Sequence, residues 1–267
     1  VKTPLPLLVC IGFLFAATTG SAADSSTVFF PRRVLFPRIL GDGTSQQMSV
    51  NKDFHSRQWL GSIGGLQRVI QFSVSGLTVQ VGVGASVKAT LIKMPAVVQV
   101  VTVDFFVDFP LEVQLTQSLF LKTGWGHFSG HFADDGLELL GLASVNYAKD
   151  YSPLLLACAI PELGGFVYGG ARIDYYTIPE YGKNWMLQCG AEAGNFLIGS
   201  GVRAYGTIDI KARAEVAWGT TQSYQVGIKM LERDLQAVRI AYTYRTGIAD
   251  QGQFYKRRVE MSLMGVY

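Results

Sequence analysis

The sequence predicts an all-β protein, a closed antiparallel transmembrane β-barrel of about 12 strands within a range of about 10 to 14. Three observations predict it. Residues 202 to 216 place Val202, Ala204, Gly206, Ile208, Ile210, Ala212, Ala214 and Val216 on one parity and Arg203, Tyr205, Thr207, Asp209, Lys211, Arg213 and Glu215 on the other. Successive side chains of a strand point to opposite faces, so one face is apolar throughout and the other charged, as a wet lumen requires. The alternating runs are also long, matching the ~9–11 residues a tilted strand needs to cross a bilayer rather than the ~5–6 usual in globular sheets. Past the first residues, no stretch reaches the ~18 consecutive apolar residues of a spanning helix.

The elements follow in order. Lys2, the apolar run Leu5 to Ala17 and "TTGSAAD" read as an export signal over 1–23, with Ser21 and Ala23 at the small-residue positions of a cleavage site. Residues 24–44, "DSSTVFFPRRVLFPRILGDGT", break the alternation with two prolines and read as a periplasmic arm before the barrel, which takes 45–267. Strands are expected over 66–75, 78–92, 101–115, 118–131, 138–149, 152–160, 163–177, 184–195, 202–216, 222–231, 236–246 and 253–267, with 46–54 as a thirteenth candidate; single-chain bacterial barrels favour even numbers. In 78–92, Val79, Val81, Val83, Ala85, Val87 and Ala89 oppose Gln80, Ser86 and Lys88; in 101–115, Val103, Phe105, Val107 and Phe109 oppose Thr102, Asp104, Asp108 and Glu112. Trp185, Trp218, Tyr242 and Tyr244 near strand ends suit interfacial girdles. The last strand, "VEMSLMGVY", sets Val259, Met261, Leu263, Gly265 and Tyr267 on one face and ends in an aromatic residue.

Charge and cysteines exclude some functions. Lys and Arg total 23 against 20 Asp and Glu, so there is no electrostatic case for binding nucleic acid. Beyond the signal only Cys158 and Cys189 remain, in neither a zinc spacing nor a disulfide-dense pattern, and their pairing stays open.

The chemistry concentrates in "GWGHFSGHFADDGLE", residues 124 to 138. In an unbulged strand His127, Ser129 and His131 share the lipid-facing side of Leu119 and Leu121, whereas a bulge at one of the glycines would turn them inward. Residues i and i+2 lie ~6.8 Å apart at Cα, within reach of an imidazole for a serine hydroxyl. A serine becomes nucleophilic when a base takes its proton and a third group orients that base. His127 is then the base, Ser129 the nucleophile and Glu138 the orienter, with His131, Asp134 and Asp135 as alternatives. His127 and His131 are ~13 Å apart on an extended strand, too far to share a metal, so neither metal nor cofactor is expected. The plain alternative is a polar strand end at a barrel rim.

On these residues the chain resembles a bacterial outer-membrane barrel family catalogued as domain of unknown function 1207. Its pattern, close to H-x-S-S-H-x-G-D-E, is met by His127, Ser129, His131 and Asp134, with Gly130 and Ala133 departing from it and Asp135 standing where the family often has glutamate; "GIADQGQFYKRRVEMSLMGVY" and "FFPRRVLFPRILGD" resemble its final and proline-rich early segments. The resemblance implies a location in the bacterial outer membrane, and the last strand resembles the signal read by the barrel-assembly machinery. A second, local likeness is to outer-membrane lipid A deacylases, with H-x-S-N and a later [ND]-x-G-x-E. His127 and Ser129 match the first motif, and Asp134, Gly136 and Glu138 the second, while Gly130 replaces the asparagine. That likeness implies a lipid ester, of lipid A or a phospholipid, as substrate. A structural barrel or small pore without catalysis is the alternative, and a soluble β-sandwich a third.

Overall fold

The computed structural model describes residues 27–180, 182–199, 201–230 and 238–267. The export signal expected over 1–23 lies outside the described residues. Thirteen antiparallel strands form one sheet: β1 (Val28–Phe29), β2 (Ser49–Asp53), β3 (Gln58–Val74), β4 (Leu77–Lys93), β5 (Val98–Gln114), β6 (Leu119–Phe132), β7 (Tyr147–Ile160), β8 (Gly165–Ile178), β9 (Trp185–Gly199), β10 (Val202–Arg213), β11 (Gly219–Met230), β12 (Val238–Ile248) and β13 (Arg258–Val266). Each strand from β3 to β13 pairs with the next, and β2 pairs with both β13 and β3. This closes a ring of 12, with β1 as an added piece on the lower edge of β3. No described helix is long and apolar enough to cross a membrane.

The wall is inside out relative to a soluble protein. Gln80, Ser86, Thr90, Asp104, Glu112, Lys149, Gln188, Asp209, Lys211 and Arg213 are buried inside, while Val83, Val87, Phe105, Phe109, Leu154, Leu156 and Val226 are exposed outside. A large apolar surface covering a sheet whose polar face is sealed inside is what a hydrocarbon surround stabilises and water does not. Trp185 and Trp218, at strand ends, stand about half exposed on that surface. In β13 the shared face of Met261, Leu263 and Gly265 points inward and is buried.

The strand count was legible, yet two of its parts were not. The expected strands 138–149 and 152–160 are instead a short helix, α1 (Asp134–Leu140), and the single strand β7. Asp134 and Asp135 favour a helix N-terminus through its dipole, and Gly141 ends the helix in the left-handed conformation. Pro153 stands within β7 opposite Arg172. The thirteenth candidate at 46–54 supplies the missing strand, because β2 closes the ring.

The segment 24–44, expected as an arm ahead of the barrel, enters the lumen from Pro31 onward. Leu35, Phe36 and Ile39 are buried there, the last two packed with Leu155, Phe166 and Tyr168. Gln80 donates to the Arg33 carbonyl at 2.8 Å, and Lys88 to the carbonyls of Gly43 at 2.6 Å and Ser45 at 2.7 Å, so the arm's exposed backbone is matched by polar wall residues. From the other end the β12–β13 connection folds in. The Gly252 amide donates to Asp104 at 3.2 Å and Gln253 to the carbonyls of Gly130 and Val145, both at 2.6 Å.

The two insertions meet at Lys211 of β10, whose ammonium lies 2.6 Å from Asp42 of the arm and 3.4 Å from Asp250 of the connection. Burial alone would raise the carboxyl of Asp42, but the Lys211 charge and hydrogen bonds from Lys211 and Thr44 outweigh it and hold it below the ordinary value. Asp250 is lowered likewise, against its burial, by Lys211, Arg245 and Arg213. Both carboxylates therefore add stability that is complete above their unfolded value near ~3.9 and is lost as pH falls below it toward their folded values. Lys211→Met should destabilise the barrel by about 3–5 kcal/mol, because it leaves two buried carboxylates without their shared cation. Heat-modifiability on gels, with the wild type also losing stability below pH ~4, checks both expectations.

Candidate outer-wall site

The β6 strand carries the histidine segment without a register shift against β5 or β7, so parity holds along it. Phe128 and Gly130 are buried on the lumenal side, and His127, Ser129 and His131 lie on the outer side. The expected common face is therefore present. Gly124 takes a φ of 134°, yet the pairing stays in step across it.

The inward half of this segment is a packing surface. Phe128 stacks on Phe106 at 4.4 Å and meets Tyr147 edge-on at 5.4 Å. At Gly130 a β-carbon would come within 2.8 Å of the Gly252 Cα, so the β12–β13 connection rests directly on this glycine. That explains why no asparagine stands at 130: any side chain would displace the "GQFY" turn from the lumen.

The outward half holds the chemistry. His127 Nδ1 lies 2.6 Å from Asp150 Oδ1, and the two residues face each other across β6 and β7. Both side chains are about one-third exposed. An imidazole bound to a carboxylate through Nδ1 has its tautomer and ring plane set and presents Nε2 outward as an acceptor. Trp125 stacks beside His127 at 6.3 Å and is itself tilted against Phe109 at 5.6 Å.

The carboxylate bound to His127 is a cross-strand aspartate rather than the expected Glu138, which spacing along one strand could not reveal; only the pairing of β6 with β7 brings position 150 opposite 127. Glu138 is exposed on α1, and among the described residues no hydrogen bond joins it to His127 or Ser129. Asp135 accepts the Val100 amide at 3.2 Å and fastens α1 to β5, while Asp134 is exposed. The His131 ring lies edge-on to Phe105 at 5.8 Å. Ser129 shares the face of His127, but no hydrogen bond links the two among the described residues. Among those residues no group of three or more His, Cys, Asp or Glu is placed to hold a metal ion. Cys158 and Cys189 are free, on β7 and β9. A lumenal cavity lined by Lys88, Asp104, Arg245 and Asp250 lies on the other side of the wall from His127.

Residues 47–267 match the family described as Protein of unknown function (DUF1207). The chain belongs to this family. The match begins just before β2 and runs through Tyr267, so the DUF1207 unit is the closed ring itself. Two of the three segments that carried the resemblance to DUF1207, "HFSGHFADD" and the one containing "GQFY", meet inside the barrel through Gly130, Gly252 and Gln253. No curated protein and no solved structure matches the chain.

The His127–Asp150 pair makes a spectroscopic prediction. In histidine-labelled protein, nitrogen NMR should find the neutral His127 ring protonated at Nδ1; Asp150→Leu should abolish that fixed tautomer, and Glu138→Gln should leave the spectrum unchanged.

Proposed function

We propose that this DUF1207 protein is an integral barrel of the bacterial outer membrane that hydrolyses an acyl ester of the surrounding lipid, from lipid A or a phospholipid, at His127, Ser129 and Asp150. The 2.6 Å bond from His127 to Asp150 on the outer wall carries the reading. A carboxylate–imidazole pair on a surface otherwise bearing Phe105, Phe109 and Leu154 is costly unless it serves a polar group brought to it. Trp125 at its side and the half-exposed Tyr176, paired with Asp150, are the amphipathic aromatics that favour the depth where lipid esters lie.

In this reading Asp150 holds Nδ1–H, and Nε2 takes the Ser129 proton as Oγ attacks the ester carbon. The proton passes from Nε2 to the departing alcohol, and water then releases the fatty acid from the acyl-serine. Glu138 has no part in it. The barrel-assembly machinery would read β13 and the Tyr267 that follows it, whose ring lies under the Arg239 guanidinium at 4.7 Å.

A non-catalytic barrel is the second reading, favoured by the packing role of Phe128 and Gly130, which accounts for part of the histidine segment without chemistry. Conduction has less support, because the arm and the β12–β13 connection occupy the lumen from both ends. In a Ser262→Ala background, which removes the serine bonded to His55, Ser129→Ala should abolish fatty-acid release from lipid vesicles by the reconstituted barrel, Asp150→Asn should lower it by about 10⁴-fold, and Glu138→Gln should leave it unchanged. Release that survives Ser129→Ala in that background would remove the catalytic reading. In planar bilayers the full chain should be silent; steady single-channel currents would overturn the closed lumen.

A further inference from the structure

Among the described residues, the third histidine is the one whose ring reaches a serine. His55, in the turn between β2 and β3, places Nε2 3.0 Å from Ser262 Oγ of β13, and the Tyr242 hydroxyl of β12 donates to the same Oγ at 3.1 Å. Ser262 alternates with the inward Met261 and Leu263, so it lies on the outer wall, covered by the turn above it. Around it stand the exposed side chains of Phe54, Tyr242 and Met264.

The turn is fastened so that the imidazole stays over that serine. Asp53, 3% exposed, accepts the amides of His55 at 3.3 Å and Ser262 at 3.2 Å with one oxygen, and the Ser56 hydroxyl at 2.5 Å with the other. The Lys52 ammonium donates to the carbonyls of Asp53 and Ser56. The Phe54 amide donates to the Ser262 carbonyl at 2.8 Å. Backbone and side chain of Ser262 are thus gripped from both sides of the ring closure. A turn needs a hydrogen bond to stay folded, but it does not need its only imidazole aimed at a hydroxyl that a phenol also addresses.

We infer that Ser262 and His55 form a second, preassembled nucleophile–base pair for acyl esters at the membrane surface. Ser262 Oγ attacks the acyl carbon while its proton moves to His55 Nε2; the alcohol leaves with that proton, and water, deprotonated by the same nitrogen, releases the carboxylic acid and restores the serine. Asp53 is a positioning residue here, since it holds the turn and does not touch the imidazole. The inference is independent of the His127 reading.

The purified full chain in detergent, treated with an alkyl fluorophosphonate and mapped by mass spectrometry, tests it. The expected result is an adduct on Ser262 that persists in Ser129→Ala and forms at least ~10²-fold more slowly in His55→Phe. A heat-modifiable wild-type barrel with no adduct on Ser262 overturns the inference, as does a labelling rate that His55→Phe leaves unchanged. An adduct on Ser129 alone also overturns it and leaves the His127 reading standing. If His55→Phe fails to fold, His55→Gln takes its place with the same expected slowing.

Discussion

Lys211 stands where the two segments that fill the barrel touch, with Asp42 on one side and Asp250 on the other. An ammonium sealed in a protein interior is strongly unfavourable unless carboxylates answer it, and these two come from opposite ends of the lumen. The pairing therefore fixes the arm and the β12–β13 connection in one arrangement, and that arrangement occupies the barrel. A lumen filled by its own chain moves the candidate chemistry to the exterior.

On that exterior the polar residues stand out because their surroundings are oily. Two histidines there are held in complementary ways. Among the described residues, His127 is bound by a carboxylate and has no serine in hydrogen-bond contact, whereas His55 has the serine and no carboxylate on its ring. Each holds one half of the relay that activates a hydroxyl, and β6–β7 and β13–β2 present them on separate parts of the wall.

The wall was legible because it rests on a period of two. Once Arg203, Asp209, Lys211 and Arg213 share a parity against an apolar face, inside and outside follow. The same rule placed His127, Ser129 and His131 outward. What alternation could not show were contacts between distant parts of the chain. Asp150 meets His127 through strand register, and Ser262 meets His55 through ring closure, neither of which leaves a local mark. Alternation also misled at Leu139, Gly141, Ala143 and Val145, where α1 and the segment after it imitate a strand. The arm read as a segment ahead of the barrel because two prolines break its alternation, and nothing local showed that Phe36 and Ile39 join an apolar cluster within the lumen.

The brevity of β2 sets an order in time. Its five residues directly follow the buried arm and make the last joint of the ring, against the strand that ends the chain. Asp42 sits far inside, held by Lys211, so drawing this peptide lengthwise through a finished cylinder would carry an unpaired carboxylate through a closed interior. The arm must instead lie across the still-open sheet before β13 arrives, and the cylinder is then wrapped around it. The first described segment of the chain thus serves as the former on which the last strand is set.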